Sequence, residues 1–302
     1  MHRLYGQPTY AAGCTTRQTN NKKNRTEDIL ATMILAIRRA PRFSPNSVKK
    51  DAEIMESVCR RLKEKGYGVT EINEEELTYP AFSHGQWDAC LSMGRLPQTL
   101  LWLRQEEKRG CTVINSTEGV ALCCQRRRLT EKLQEALIPT APEQGDDGYW
   151  LKRGDGVAET QGDVRFAPDR SEMESIKKQM KASGINDIVV SAHVKGDLIK
   201  FYGVRGCGFF RTFYPGADGQ SKFGDEQRNG APHYYIYNTE ALQQDAEHAA
   251  LLTGTDVYGG DCIVRPDGTY CIIDFNDWPS FSRCREDAAR AIAEITVRSL
   301  QK

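Results

Sequence analysis

Four polar residues stand where an apolar segment should continue. In "DCIVRPDGTYCIIDFNDWPS", residues 261–280, Asp261 opens one apolar run, and Asp274, Asn276 and Asp277 close the next, around the turn Pro266-Asp267-Gly268. Two strand-like runs flanking such a turn predict a β-hairpin. A hairpin brings its open ends together, so Asp261 and Asp274 are expected side by side on adjacent antiparallel strands. Asn276, two residues past Asp274, projects to the same face, whereas Asp277 points to the other by alternation. Carboxylates that close repel, and one keeps its proton unless a cation sits between them. Three hard oxygen donors suit magnesium, whose octahedral shell is completed by phosphate oxygens and water. The plainer reading is a polar turn before Pro279.

Cationic residues in strand-like segments point the same way. Lys200 interrupts the apolar run "LIKFYGV", where burial without a carboxylate or phosphate partner is costly. It reads as a phosphate or substrate contact, with a structural ion pair as the alternative. Arg211 and Arg228 flank a long polar segment, residues 216–232. His84, His193 and His233 lack metal spacing, and no carboxylate partner for a histidine nucleophile is visible in sequence. Cys207, between glycines, has no evident base and reads as an inert thiol. Trp278 and Phe281 read as core residues.

The elements that must position these groups begin at Met33. "MILAI" reads as a buried strand, and Met33 itself is read as the natural start of the protein, which N-terminal sequencing would test. Ile54, Val58 and Leu62 recur at helical spacing before Gly66, and "GVTEI" reads as the next strand. "WDACLSM", the helix "QTLLWLRQEEKRG" and "CTVIN" continue the alternation, which implies a parallel sheet with ligand-gathering loops at Arg39 to Ser47 and Gly94-Arg95. Residues 116–137 read as one helix, ended by the prolines of "LIPTAPE". Strands are expected at "YWLKRGD", "DIVVSAHV" and twice within residues 197–215, with helices at Ser171 to Ser183, Thr239 to Leu252 and Glu286 to Leu300.

Composition bounds the partners. The chain has 302 residues, with 41 basic and 41 acidic side chains, so no global field recruits nucleic acid or a membrane, and a small molecule is the expected partner. Ten cysteines occur without a CxxC pair, several inside apolar runs, and read as reduced thiols of a cytoplasmic protein. No stretch reaches the ~20 apolar residues of a membrane span. No GxxxxGK[ST] loop and no protein-kinase signature is present.

Over residues 33–302 the sequence resembles the ATP-grasp superfamily, in which a hairpin carries an acid on its first strand and an acidic-x-Asn-x-x-Pro motif at the end of its second. "GGDCIV…YCIIDFNDWPSF" looks like that segment. The resemblance implies ATP and magnesium as cofactors, with Asp261, Asp274 and Asn276 on the metal. "WLKRGDG" resembles the first nucleotide strand, which implies phosphate contact by Lys152 and, in the following loop, by Gly154. "VVSAHVKGDLIKFYGV" resembles the interdomain hinge. There, backbone groups of Ser191, Ala192, His193 and Val194 would read adenine, and Asp197 would reach the ribose; Ala192 stands where many members carry Glu. "INSTEGVALCCQRRRLTEKLQEALIPTAPE" resembles the basic helix and the Ile-Pro connection, with Arg128 as second phosphate contact. Lys200 and Arg211 are assigned to catalysis.

The implied fold is α/β and α+β. A tail (1–30) precedes a parallel-sheet lobe (31–115), a connecting helix and linker (116–147), a lid subdomain (148–195) and an antiparallel metal-binding subdomain (196–302). Similarity to glutathione synthetase-like domains and ribosomal-protein-type glutamate ligases implies a ligase that activates a carboxylate as an acylphosphate for attack by an amine or thiol. Inositol trisphosphate kinases of the same fold make hydroxyl phosphorylation the alternative, and a non-catalytic ATP-binding protein is the third. Arginines in the candidate substrate loops, residues 42–47, 93–95 and 213–229, imply an anionic substrate.

Overall fold

The computed structural model describes residues 32–44, 47–77, 82–156, 161–215 and 228–301; the expected tail and most of the 216–232 loop lie outside them. A parallel sheet of order β2-β1-β3-β4 comes first, from β1 Met33–Arg38, β2 Gly68–Asn73, β3 Ala89–Ser92 and β4 Thr112–Ile114. Ile34, Leu35, Ala36 and Ile37 expose no surface, as an unbroken apolar run in a parallel strand covered on both faces requires. α1 Val48–Glu64 lays Ile54, Val58 and Leu62 on one face of this sheet, and α2 Pro97–Lys108 lies between β3 and β4 in sequence. Among the described residues, no helix is long and apolar enough to cross a membrane.

The single helix expected over residues 116–137 is two helices, α3 Thr117–Cys123 and α4 Arg126–Glu135. Gln125 leaves helical geometry at φ −107° and ψ 78° although no proline or glycine breaks the run. Leu122 and Cys123 before the break and Leu129 and Leu133 after it all pack into one core with the antiparallel sheet that follows.

Next comes a three-stranded antiparallel sheet of order β6-β5-β7, built from β5 Tyr149–Arg153, β6 Val164–Ala167 and β7 Ile188–Ala192. α5 Arg170–Ala182 covers one face through Met173, Ile176 and Met180 against Tyr149 and Leu151. β6 had no sequence signal. It is a short, half-exposed edge strand containing Arg165, without the apolar run that marks buried strands.

The last sheet is antiparallel, of order β11-β10-β8-β9, with β8 Asp197–Val204, β9 Phe209–Phe213, α6 Thr239–Thr253, β10 Val257–Val264, β11 Tyr270–Asp277 and the closing helix α7 Arg285–Leu300. One face packs Ile199, Phe201, Cys262 and Phe275 against α4 and α6. The hairpin turn is only a turn: Asp267 accepts hydrogen bonds from the Thr269 amide and hydroxyl at 3.0 and 2.7 Å. α7 returns to the parallel lobe, and its alanines share one core with Ile34, Val58, Trp278 and Phe281. Both aromatics are fully buried, as expected of core residues.

A buried ion cluster welds the parallel lobe to the end of β11. Asp277 exposes none of its side chain and meets Arg95 Nε at 3.3 Å and Arg39 Nη2 at 3.5 Å. Arg39 also donates to the carbonyls of Met93 (3.1 Å) and Trp278 (3.0 Å) and pairs with Asp51. Glu74, equally buried, accepts from the amides of Ala40, Arg95 and Leu96 at 2.6 to 2.8 Å. The loops expected to gather ligand at Arg39 and Gly94-Arg95 therefore spend their charge on the fold. Removing Asp277 takes away the carboxylate that holds Arg95 and leaves Arg39 with Asp51 as its counter-charge. Asp277→Ala is expected to cost about 3 to 5 kcal/mol, read as a lower urea midpoint; an unchanged midpoint would show that the clamp carries no stability.

Candidate functional site

Strand register brings the polar residues of the hairpin together. Asp274 pairs across β11 and β10 with Asp261, and Asp261 pairs across β10 and β8 with Lys200. Directly opposed residues share a face. One step along, Asn276, Gly259, Tyr202 and Arg211 form the next row of the same face. Glycines permit the close approach: a Cβ on Gly260 would lie 2.2 Å from the Asp274 carbonyl oxygen, and one on Gly259 would lie 2.8 Å from Pro279.

Cations hold the carboxylates. Lys200 Nζ lies 3.3 Å from Asp261 Oδ1, Arg126 Nη2 lies 3.5 Å from Asp274 Oδ1, and Asn276 donates its amide to Asp274 Oδ2 at 2.9 Å. Lys152 reaches over from the three-stranded sheet and donates to the Ile273 carbonyl at 3.1 Å. Burial and then Arg126 lower its pKa, with Asp274 and Asp261 opposing them. Among the described residues no group of three His, Cys, Asp or Glu is disposed to hold a metal ion, so a cation here would use the Asn276 amide oxygen as its third protein donor. Two carboxylates and an amide are hard oxygen donors, and that chemistry fits magnesium.

Beside these charges is an apolar slot of about 130 Å³ between the two antiparallel sheets. Trp150, Val164, Val194, Leu198 and Ile263 line it, Lys152 and Asp261 stand at its charged end, and Ser191, Ala192 and His193 form its hinge side. The Ala192 and His193 amides are already committed, to the carbonyls of Pro142 (2.7 Å) and Gly148 (2.8 Å). His193 accepts from Trp150 Nε1 at 3.1 Å. Its pKa is lowered by burial and by Arg228 and Lys195, against Asp147. Arg228 stacks on Phe166 at 3.9 Å. An apolar slot with a cationic end suits a planar ring bearing an anionic tail.

Several expected residues are placed differently. Arg128 is exposed and bonds Gln125; the residue at the site is Arg126. Helix phase carried that signal, since Arg126, Leu129 and Leu133 fall on one stripe at spacings of three and four. Asp197 faces the opposite side of β8 from Lys200, three residues away, and does not line the slot. Its buried carboxylate instead accepts from the amides of His233 (2.7 Å) and Tyr235 (2.9 Å). Gly154 packs against Asp187, whose Oδ2 a Cβ would approach to 2.6 Å. The rest of its loop, residues 157–160, lies outside the described residues. Arg211 shares the site's face but donates to the Phe210 carbonyl and stacks on Phe209 at 5.2 Å. It stands three strands from Asn276, roughly 14 Å at normal strand spacing. Two histidines do have carboxylate partners: His84 with Glu106 and His233 with Asp197.

No family model matches the sequence, and no curated protein does. Solved structures match nearly end to end. D-alanyl-alanine synthetase A of Vibrio cholerae superposes with a TM-score of 0.64 at 11% identity, over 90% of this chain and 98% of that one. A RimK domain ATP-grasp protein of Sphaerobacter thermophilus gives 0.59 at 17% identity, over 87% and 99%. The D-alanine–D-alanine ligase of Bacillus anthracis complexed with ATP gives 0.59 at 12% identity, over 90% and 98%. The chain has the ATP-grasp fold.

The role found for Asp197 has a pH signature. Burial raises its pKa, but the hydrogen bonds from His233 and Tyr235 outweigh that and leave it lowered. A depressed carboxylate contributes stability that is complete above its unfolded pKa of about 3.9 and is lost as pH falls through the folded value. Asp197→Asn should therefore flatten the acid side of the stability profile, measured as urea midpoint against pH below about 5. A parallel profile in the variant would show that the carboxylate is not linked to folding.

Proposed function

We propose that the chain is a magnesium- and ATP-dependent ligase that activates a substrate carboxylate as an acylphosphate for capture by an amine or thiol. The observation that carries this reading is the single row Asp274, Asp261, Lys200 at the charged end of the apolar slot. The ligases of the same fold support the class.

In this reading the hinge side, Ser191 to Val194, and the apolar walls hold the adenine. Lys152 and Arg126 neutralise the inner phosphates, where charge-assisted contacts are strongest. Asp261, Asp274 and Asn276 hold magnesium, which supplies positive charge against the outer phosphates. Lys200, adjoining Asp261, draws charge from the terminal phosphate as it is transferred. No protein nucleophile takes part, so the contribution of these residues is alignment and electrostatic stabilisation. The acceptor is anionic. Arg211 and Arg283 serve it from the β9 side, where Arg283 lies over Phe213 at 5.6 Å and donates to the Tyr214 carbonyl at 2.8 Å.

Two measurements test the reading. Asp274→Asn should lose at least about 100-fold in turnover while thermal unfolding stays the same, because removing charge stabilisation of the transferred phosphate costs rate by orders of magnitude. Turnover is followed as ADP and free phosphate across paired carboxylates and amines. Wild-type activity in that variant would remove the metal assignment, and phosphate retained on a hydroxyl product would make the enzyme a kinase. Arg126→Ala should weaken ATP binding about tenfold, the scale of one charge-assisted contact, and Arg128→Ala should leave it unchanged, by calorimetric titration. The reverse ranking would return the phosphate contact to Arg128.

A further inference from the structure

Beyond Lys152 lies a second cavity of about 560 Å³, which shares Arg126, Lys152, Ser191 and Asp274 with the nucleotide reading at one end and extends past them along α5. It follows the outer side of β11, with α4 on one flank and α5 and β7 on the other. Leu133, Met173, Val190 and Ile272, one from each of these elements, give it apolar walls. Its rim is cationic: Arg170, Lys177 and Lys181 all line it from α5. Their spacings of seven and four residues put them on one stripe of that helix, so the alignment is a property of the helix and not of three chance side-chain orientations.

Across the whole cavity, six cationic side chains face four carboxylates. Two of those carboxylates are engaged within the wall, Asp274 by Arg126 at 3.5 Å and Glu174 by Lys177 at 3.8 Å. The excess of two cations gives the cavity a net positive charge, although Arg126, Lys177 and Arg127 are themselves paired, the last with Asp187. Low-dielectric walls focus the field of such a charge. Lys152 and Ser191 line both this cavity and the nucleotide slot. An anion here would offset the burial and the Arg126 charge that act on Lys152. Volume, apolar walls and convergent cations together are the features of a small-molecule site.

We propose that this cavity binds a small amphipathic anion: an apolar body seated between α4 and α5, with a sulfonate, phosphate or carboxylate group directed to Arg170, Lys177 and Lys181. A bare phosphate chain would leave the apolar part of the walls, Leu133, Met173, Val190 and Ile272, uncovered. A neutral apolar molecule would leave the rim charge unanswered.

The probe is 8-anilinonaphthalene-1-sulfonate, which combines an aromatic body with one sulfonate and reports burial by fluorescence. Titrated into the full chain, it should bind saturably, with at least one site that depends on the α5 cations. The charge-reversed pair Lys177→Glu/Lys181→Glu should weaken that binding at least tenfold, whereas Lys177→Arg/Lys181→Arg should bind as the unaltered chain does. Lys49→Glu/Lys50→Glu on α1 makes the same change in net charge away from the cavity and should leave binding unchanged. Circular dichroism of each variant checks that the fold is retained. Unsaturable binding, equal affinity in Lys177→Glu/Lys181→Glu, or an equal loss in the α1 variant would overturn the proposal. Each of these readouts is independent of whether the chain turns over ATP.

Discussion

Two carboxylates facing each other on neighbouring strands are the constraint to which the rest of the structure answers. Asp261 and Asp274 are register partners, and at that spacing their mutual repulsion must be cancelled by positive charge. The fold supplies it from three separate elements: Lys200 from β8, Arg126 from the start of α4 and Lys152 from the three-stranded sheet. β8 and α4 share one core and the three-stranded sheet has another, so the cations converge without having been neighbours in the chain. The same convergence leaves an apolar slot on one side of Lys152 and a larger cation-rimmed cavity on the other.

Alternation along β11 divides the labour of a single strand. Asp274 and Asn276 face the site, and Asp277, one residue out of phase, is buried between Arg39 and Arg95. The site hairpin is thereby tied to the loops of the parallel lobe, where Glu74 fixes the amides of Ala40, Arg95 and Leu96. Buried ion pairs add little net stability relative to apolar packing, but breaking one is costly. Such a cluster specifies one arrangement of the lobe and the hairpin. Trp278 and Phe281, held at positive φ of 38° and 48° immediately after it, show that the chain accepts local strain to keep this turn.

Local periodicity made much of this legible. The hairpin, its turn at Asp267, the shared face of Asp274 and Asn276 and the exclusion of Asp277 all follow from a period of two. The parallel lobe follows from alternating apolar runs and amphipathic helices. Two misplacements were also within reach of periodicity. Arg126 shares a stripe with Leu129 and Leu133, and Asp197 lies an odd number of residues from Lys200, so helix and strand phase assign both correctly. The split between α3 and α4 was not legible, because neither Cys124 nor Gln125 is a residue that breaks a helix. β6 was hidden because an exposed edge strand needs no apolar run.

By itself, then, the sequence determined which residues alternate, which share a helical stripe and which turns close, since these depend on backbone geometry repeated over a few positions. Tertiary structure decided which distant groups meet: Arg126 with Asp274, Lys152 with Ile273, and Arg39 and Arg95 with Asp277. Those meetings join residues more than a hundred positions apart. Their energetics depend on the burial and the neighbouring charges that only the assembled cores create.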